Sequence, residues 1–258
     1  MRLNQKVIVI TGGAGLIGKA VAQSLASEGA CVVLADMNLA NAQGAASELG
    51  ALGLSGRFVP MEVNITSKAS VEGLIAALAQ SEGRIDGLIN CAYPRNKNFG
   101  RPFMEVEYED FCENVDLHLG GYFLCCQRFA HYFIQVGKGG SIINLSSIYG
   151  LVAPRYELYA GTKMGIPPEY PAIKGALNML TKYMAKTLKG TGIRVNAVSP
   201  GGVLDKQPEV FLERYKGQCV SKGMLNPADL GGVMVFLMSD ESQYLNGQNL
   251  VVDDGFTL

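Results

Sequence analysis

The chain has 258 residues, of which 48% are hydrophobic and 17% are charged, and its formal net charge is −1. This composition supplies an ample core and excludes a disordered chain. A net charge near zero gives no general attraction to nucleic acid or to an anionic membrane surface. No stretch approaches the roughly 20 apolar residues of a membrane span, and the first apolar run is too short for a signal peptide, so we expect a cytoplasmic protein.

A glycine-rich turn follows the first apolar run of the chain. Residues 7–10 have the sequence V-I-V-I, which predicts a buried strand, and residues 11–18 read T-G-G-A-G-L-I-G, which contains G-x-G-x-x-G. This spacing lets the backbone approach a pyrophosphate, while N–H groups at the start of the next helix face its negative charge. The turn therefore predicts a dinucleotide site formed by Gly12, Gly13, Gly15, Leu16, Ile17 and Gly18.

A second apolar run, residues 31–35, ends in Asp36 about 20 residues after the glycine turn, as expected for a dinucleotide-binding unit. A carboxylate at this position accepts hydrogen bonds from the adenosine ribose hydroxyls and repels a 2′-phosphate. Met37 and Asn38 bring no compensating positive charge. The sequence therefore favours NAD over NADP.

The rest of the chain alternates between strand and helix patterns. Further strands are predicted at residues 57–63, 86–90, 141–145, 193–198 and 248–252, and helices at 67–79, 108–135, 171–189 and 227–238. Such alternation predicts an α/β fold with a doubly wound, parallel, seven-stranded sheet. We expect one Rossmann-type domain over residues 1–258, with a substrate-loop insertion around 149–169 and a substrate lid around 202–224.

Cysteine and histidine spacing does not indicate a metal site. The six cysteines lack C-x-x-C spacing and lie mostly within strand and helix patterns, which predicts reduced, buried thiols. His118 and His131 have no partner at ligand spacing, so they are predicted to be packing residues.

Several short motifs resemble the short-chain dehydrogenase/reductase family, and the resemblance covers nearly the whole chain. It implies a nicotinamide-dependent oxidoreductase that forms a homodimer or homotetramer and acts on a small molecule. The motifs, besides the glycine turn, are N-C-A at 90–92, I-I-N-L-S-S at 142–147, Y-P-A-I-K at 170–174 and R-V-N-A-V-S-P-G at 194–201.

The resemblance implies catalytic roles for four residues. Tyr170 exchanges a proton with the substrate oxygen, and Lys174 lies one helical turn away, where its ammonium is expected to lower the pKa of the phenol. Ser147 is expected to hydrogen-bond the reacting oxygen, and Asn114 to anchor a water-based proton path to Lys174. By the same resemblance, the nicotinamide cofactor is expected to contact Asn64, Ile65, Asn90, Ala92, Tyr170, Lys174, Pro200, Gly201 and Val203.

A second Tyr-x-x-x-Lys, Tyr159 to Lys163, competes with the pair at Tyr170. Tyr159 is nearer the usual family distance from Ser147, but the glycines and prolines after it would end a helix quickly. Tyr170 begins a long helical pattern, and we therefore expect it to be the catalytic tyrosine.

The substrate is indicated only indirectly. The chain resembles a bacterial subgroup of flagellin-modification oxidoreductases linked to nonulosonic sugar synthesis, which implies a sugar-derived, phosphorylated or nucleotide-linked substrate. Tyr93, Arg95, Lys97 and Arg155 are the candidate substrate contacts, although these charges are also compatible with ordinary solvated loops. Two other functions stay open: an NAD-binding sensor without turnover, and a nucleotide-sugar epimerase or dehydratase.

Overall fold

Seven parallel strands form one sheet in the computed structural model, which describes residues 1–258. Their order is β3-β2-β1-β4-β5-β6-β7, so the chain builds the sheet outward from β1 in one direction and then continues from β4 in the other. This order confirms the predicted doubly wound fold. The strands are Val7–Thr11 (β1), Cys31–Asp36 (β2), Arg57–Glu62 (β3), Gly87–Asn90 (β4), Gly140–Leu145 (β5), Ile193–Pro200 (β6) and Asn249–Val252 (β7).

Eight α-helices flank the sheet, and the predicted helix at residues 108–135 is divided in two. A π-helical turn, Asp116–Gly120, separates its halves. The sequence did not predict this turn, because apolar residues continue on both sides of it. The helices are Leu16–Ser27 (α1), Leu39–Gly50 (α2), Lys68–Glu82 (α3), Tyr108–Val115 (α4), Gly121–Val136 (α5), Glu169–Thr187 (α6), Glu209–Lys216 (α7) and Gly231–Met238 (α8). None of them is both long and apolar enough to cross a membrane.

The two faces of the sheet carry separate hydrophobic cores. Val9 and Leu88 pack with α3, α5 and α6 on one face. Ile10 and Ile89 pack with α1, α2 and α8 on the other. Because side chains alternate between the faces of a strand, a sheet covered on both sides needs continuous apolar runs, and these are the runs that predicted the strands.

The glycine turn is packed too closely for larger residues. Gly12 has φ +67°, and a Cβ there would lie 2.7 Å from the Cα of Ala92 at the end of β4. A Cβ on Gly18 would lie 2.3 Å from the carbonyl oxygen of Gly12. The first turn of α1 therefore rests directly on the backbone of the preceding loop.

Two segments cover the carboxyl edge of the sheet, one formed by residues 149–169 and the other by residues 202–224. The first contains the short 3-10 turn Tyr156–Tyr159, and the second contains α7. Tyr159 packs on Phe211 with ring centroids 5.1 Å apart. The two segments contribute to a third hydrophobic cluster, which consists of Ile148, Tyr149, Leu158, Tyr159, Phe211, Tyr215, Met224 and Phe256.

Two glycine substitutions test this packing. Gly18→Ala is expected to lower the free energy of unfolding by about 2 kcal/mol or more, because its Cβ would overlap the backbone of the turn. Gly44→Ala, in the exposed middle of α2 with no atom within 4 Å of the new Cβ, is expected to raise it by about 0.5 to 1 kcal/mol. Denaturant titration of both variants measures the difference, and equal stabilities would contradict the packing described for the turn.

Candidate active site

A cavity of 590 Å³ opens at the carboxyl ends of the strands. It lies where β1 and β4 are neighbours and the chain reverses the direction in which it builds the sheet. Ligands of open α/β sheets bind at this position. The wall of the cavity includes the glycine turn, Ser147, Tyr170, Lys174 and residues 200–203.

One end of the cavity has the features that a dinucleotide requires. Helix α1 begins at Leu16, and its N-cap residue is Gly15, which has no side chain that could accept hydrogen bonds from the N–H groups of the first turn. The N–H groups of that turn are therefore available to an anion. Asp36 also lines this end, and Leu16 is 45% exposed within the turn. Gly12, Gly15, Ile17 and Gly18 complete the wall, whereas Gly13 is not part of it.

Some of the other predicted cofactor contacts line the cavity, and some do not. Asn64, Ile65 and Asn90 do not line the cavity. Asn90 is fully buried, and its Nδ2 donates to Oδ1 of Asn144, 2.9 Å away, which joins β4 to β5. The predicted contacts that do line the cavity are Ala92, Tyr170, Lys174, Pro200, Gly201 and Val203.

Tyr170 and Lys174 lie in the first turns of α6, on one side of the helix facing the cavity. Lys174 Nζ donates to the carbonyl oxygen of Leu145, 2.8 Å away, and lies 5.7 Å from the centroid of the Tyr170 ring. Burial lowers the pKa of Lys174 to about 7. Burial also raises the pKa of Tyr170, while hydrogen bonding with Ser147 lowers it in part. The pKa of Tyr170 is therefore raised, contrary to the expected lowering by the Lys174 ammonium.

Ser147 is held against α6 by its neighbours. Ser146 Oγ donates to the carbonyl oxygen of Lys174, 3.1 Å away. Gly150 approaches the same helix so closely that a Cβ would lie 2.6 Å from the carbonyl carbon of Lys174. Ser147 Oγ accepts a hydrogen bond from the backbone N–H of Tyr149, 3.1 Å away. These contacts fix the serine relative to Tyr170.

Asn114 is buried and does not line the cavity. Its Nδ2 donates to Oε1 of the buried Glu169, 3.1 Å away, and its Oδ1 accepts from the backbone N–H of Asn96, 2.9 Å away. His118 instead contacts the lysine, with Nε2 3.3 Å from Lys174 Nζ. The sequence predicted only a packing role for His118, although its position one turn after Asn114 was a usable signal for the site.

The competing pair, Tyr159 and Lys163, does not share a helical face. Tyr159 ends a 3-10 turn, and its hydroxyl lies 2.7 Å from that of Tyr149. Lys163 is exposed in an irregular segment. Tyr159 nevertheless lines the cavity, where it forms part of the wall beyond Tyr170.

The end of the cavity beyond Tyr170 is aromatic and carries few charges. Tyr93 stands edge-on to Tyr170, with ring centroids 5.8 Å apart. Of the basic candidates, Arg95 lies over the Tyr93 ring at 5.1 Å, and Arg155 lies over Phe256 at 4.7 Å. Neither Arg95, Arg155 nor the exposed Lys97 lines the cavity. The apolar and aromatic lining consists of Tyr93, Phe99, Tyr149, Tyr159, Met164, Ile166, Phe211, Tyr215 and Met224.

Comparison with known proteins shows the family to which the chain is related. A family model described as enoyl-(acyl carrier protein) reductase matches residues 13–257. The post-translational flagellin modification protein A of Campylobacter coli is 41% identical over 257 residues, which cover 99% of this chain and 100% of that protein.

Solved structures of similar proteins have the same fold. A short-chain dehydrogenase from Leptospira borgpetersenii with bound NAD⁺ superposes with a TM-score of 0.84 at 31% identity, covering 100% of this chain and 94% of that chain. A gluconate 5-dehydrogenase from Burkholderia cenocepacia, in complex with NADP and tartrate, gives 0.85 at 28% identity, covering 99% of this chain and 96% of that chain. The chain belongs to the short-chain dehydrogenase/reductase family.

Proposed function

We propose that this protein is an NAD-dependent oxidoreductase that interconverts a hydroxyl and a carbonyl group on a sugar-derived substrate. The observation that carries the proposal is the convergence of Ser147, Tyr170 and Lys174 on one cavity, whose other end is formed by the glycine turn and Asp36. A dinucleotide site and an acid–base tyrosine in one cavity form the combination that hydride transfer to a carbonyl requires.

Tyr170 and Ser147 have different roles at the oxygen of the reacting group. When bound, the nicotinamide supplies or accepts the hydride. Tyr170 exchanges the proton with the substrate oxygen, and Ser147 hydrogen-bonds that oxygen as its charge changes. Because burial raises the pKa of Tyr170, the phenol is protonated at neutral pH and is ready to donate during carbonyl reduction. Alcohol oxidation requires the phenolate, so its rate is expected to rise as the pH becomes alkaline.

The preference for NAD rests on the charges beside the adenosine end of the cavity. Asp36 lines the cavity, where its carboxylate can accept hydrogen bonds from both ribose hydroxyls. The side chain of Asn38 caps α2. Nζ of Lys19 forms an ion pair with Oε2 of Glu48, 2.8 Å away. No cation is therefore positioned to neutralise a 2′-phosphate.

The proposed substrate class combines the cavity lining with the flagellin-modification relative. Tyr93, which is 42% exposed, provides a flat surface on which the apolar face of a sugar ring can stack. Lys174 is the only basic residue in the lining. We infer that an uncharged sugar ring occupies the reacting end. A phosphate or nucleotide group, where present, extends past Tyr93 toward Arg95.

An exposed apolar face supports assembly into oligomers. Residues of α4, α5, the π-helical turn and α6 form this face, and Phe123 is 46% exposed there. Apolar patches of this kind mark protein–protein contacts. We propose it as the subunit interface of a homodimer or homotetramer. The residues are Phe111, Cys112, Val115, Leu119, Gly120, Phe123, Ala176 and Leu180, together with one carboxylate, Asp116.

A substrate panel tests the function. Sugars, sugar phosphates and nucleotide-linked sugars are incubated with NAD⁺ at about pH 9, and NADH formation is followed by absorbance. We expect turnover on at least one member, a loss of about 100-fold or more in Tyr170→Phe, and retention of most activity in Tyr159→Phe, because only Tyr170 is paired with a helical lysine.

The outcomes of this panel separate the competing functions. A fully active Tyr170→Phe variant would show that the tyrosine has been assigned wrongly. NAD binding without turnover on any member would indicate a sensor. Conversion of a nucleotide-linked sugar without net NADH would indicate an epimerase or dehydratase.

Cofactor choice is tested at Asp36. Asp36→Ala removes both the ribose hydrogen bonds and the charge that repels a 2′-phosphate, so we expect kcat/KM for NAD⁺ to fall about tenfold or more and the preference for NAD⁺ over NADP⁺ to shrink. Lys19→Ala serves as a control, because Lys19 is paired with Glu48 and its loss leaves the preference unchanged. Comparable efficiency of the unmodified protein with both cofactors would contradict the NAD assignment.

A further inference from the structure

His118 and Lys174 form a buried contact that the proposed chemistry does not yet use. The side chains are 1% and 3% exposed, and Nε2 of the imidazole lies 3.3 Å from Nζ of the lysine. An ammonium can only donate hydrogen bonds, so a favourable contact with it requires an unprotonated imidazole nitrogen. Beside a charged lysine, the contact therefore requires the tautomer in which Nε2 is the acceptor.

The backbone around His118 places the imidazole at the lysine. His118 lies in the π-helical turn Asp116–Gly120 between α4 and α5. Such turns inside α-helices are frequent at functional sites, because the extra residue changes the direction of nearby side chains. The ring is also enclosed by Tyr93 and Tyr122, with centroid distances of 5.3 and 5.0 Å. Packing thus holds the imidazole in one orientation.

We propose that His118 is a positioning residue for Lys174, whose neutral imidazole accepts a hydrogen bond from the lysine ammonium through Nε2. Lys174 Nζ has three N–H groups. Leu145 accepts one at 2.8 Å and His118 accepts a second, which leaves the third for the cavity that Tyr170 lines. The proposal rests on the proposed function only for its effect on turnover.

The charges around the pair are consistent with a neutral imidazole. Burial lowers the pKa of His118 well below its usual range, and the charge of Lys174 lowers it further. Burial raises the pKa of each neighbouring phenol and thiol, so these groups are uncharged near neutral pH: Tyr93, Tyr122, Tyr170 and Cys91. The buried carboxylate on the same helix as Lys174, Glu169, is held by Asn114.

An acceptor at Nε2 favours the charged lysine. Burial lowers the pKa of Lys174 to about 7, so small changes in its hydrogen bonds alter the fraction of ammonium at neutral pH. A lysine that loses an acceptor loses its proton at a lower pH. Removing the imidazole without admitting water should therefore lower the pKa of Lys174.

NMR titration of the histidines tests the proposal, because the chain contains only two of them and their resonances can be told apart. Protein labelled with ¹⁵N-histidine is titrated by NMR, and the resonances are assigned with His131→Gln, which changes an exposed residue. We expect His118 to show a protonated Nδ1 and an unprotonated Nε2. We also expect the Nε2 shift to change with a midpoint near pH 7 as Lys174 titrates, and this step to be absent in Lys174→Met. No substrate is needed, so the result is independent of the proposed function.

Two variants extend the test to the lysine itself. His118→Phe keeps an aromatic ring but has no acceptor, whereas His118→Gln places an amide oxygen near the position of Nε2. In ¹³C-lysine-labelled protein we expect the Lys174 midpoint to fall by about one pH unit or more in the Phe variant and to stay near the unmodified value in the Gln variant.

Turnover provides a second readout once a substrate is known. For carbonyl reduction, in which the lysine ammonium stabilises the phenolate that Tyr170 becomes, the fall of kcat at alkaline pH is expected to begin at a lower pH in His118→Phe only. An Nε2–H tautomer in the unmodified protein, or ordinary imidazolium titration near pH 6.5, would overturn the proposal even if His118→Phe failed to fold. Equal Lys174 midpoints in folded Phe and Gln variants would also overturn it.

Discussion

The burial of one ammonium group, that of Lys174, connects the parts of the site. A buried cation needs hydrogen-bond acceptors, and Lys174 finds them on β5, through Leu145, and on the π-helical turn, through His118. These contacts bring together β5, which Ser147 follows, the helix that carries Tyr170 and the turn between α4 and α5. The hydrogen bonds of Lys174 thus help to fix the positions of Ser147 and Tyr170 relative to each other. Burial lowers the pKa of the lysine to about 7.

The sheet supplies the second constraint. Because the strand order reverses between β1 and β4, the glycine turn and the residues after β4 face a common crevice. Gly12 lies so close to Ala92 that a side chain larger than hydrogen would not fit there. The same edge carries Ser147 after β5 and Pro200 at the end of β6. A dinucleotide at the glycine turn would therefore extend along the edge toward Tyr170, which is the arrangement that an oxidoreductase needs.

The sequence predicted the features that depend on local patterns. All seven strands, the glycine turn and the helix carrying Tyr170 and Lys174 follow from apolar runs, glycine spacing and an i, i+4 pair. The π-helical turn did not, because apolar residues occur on both sides of it and no residue pattern marks the extra residue, so the contact of His118 with Lys174 was not predicted. The substrate end also escaped prediction: positive charge in loops suggested Arg95, Lys97 and Arg155, but packing turns aromatic rings from 149–169 and 202–224 into the cavity instead.

A crystal structure of the protein with NAD⁺ tests the central claim most directly. We predict the pyrophosphate at the N-terminus of α1, the adenosine ribose on Asp36, and the nicotinamide ring beside Ser147 and Tyr170. A dinucleotide bound outside this cavity, or a nicotinamide beside Tyr159 with Tyr170 turned away, would contradict the assignment of the active site.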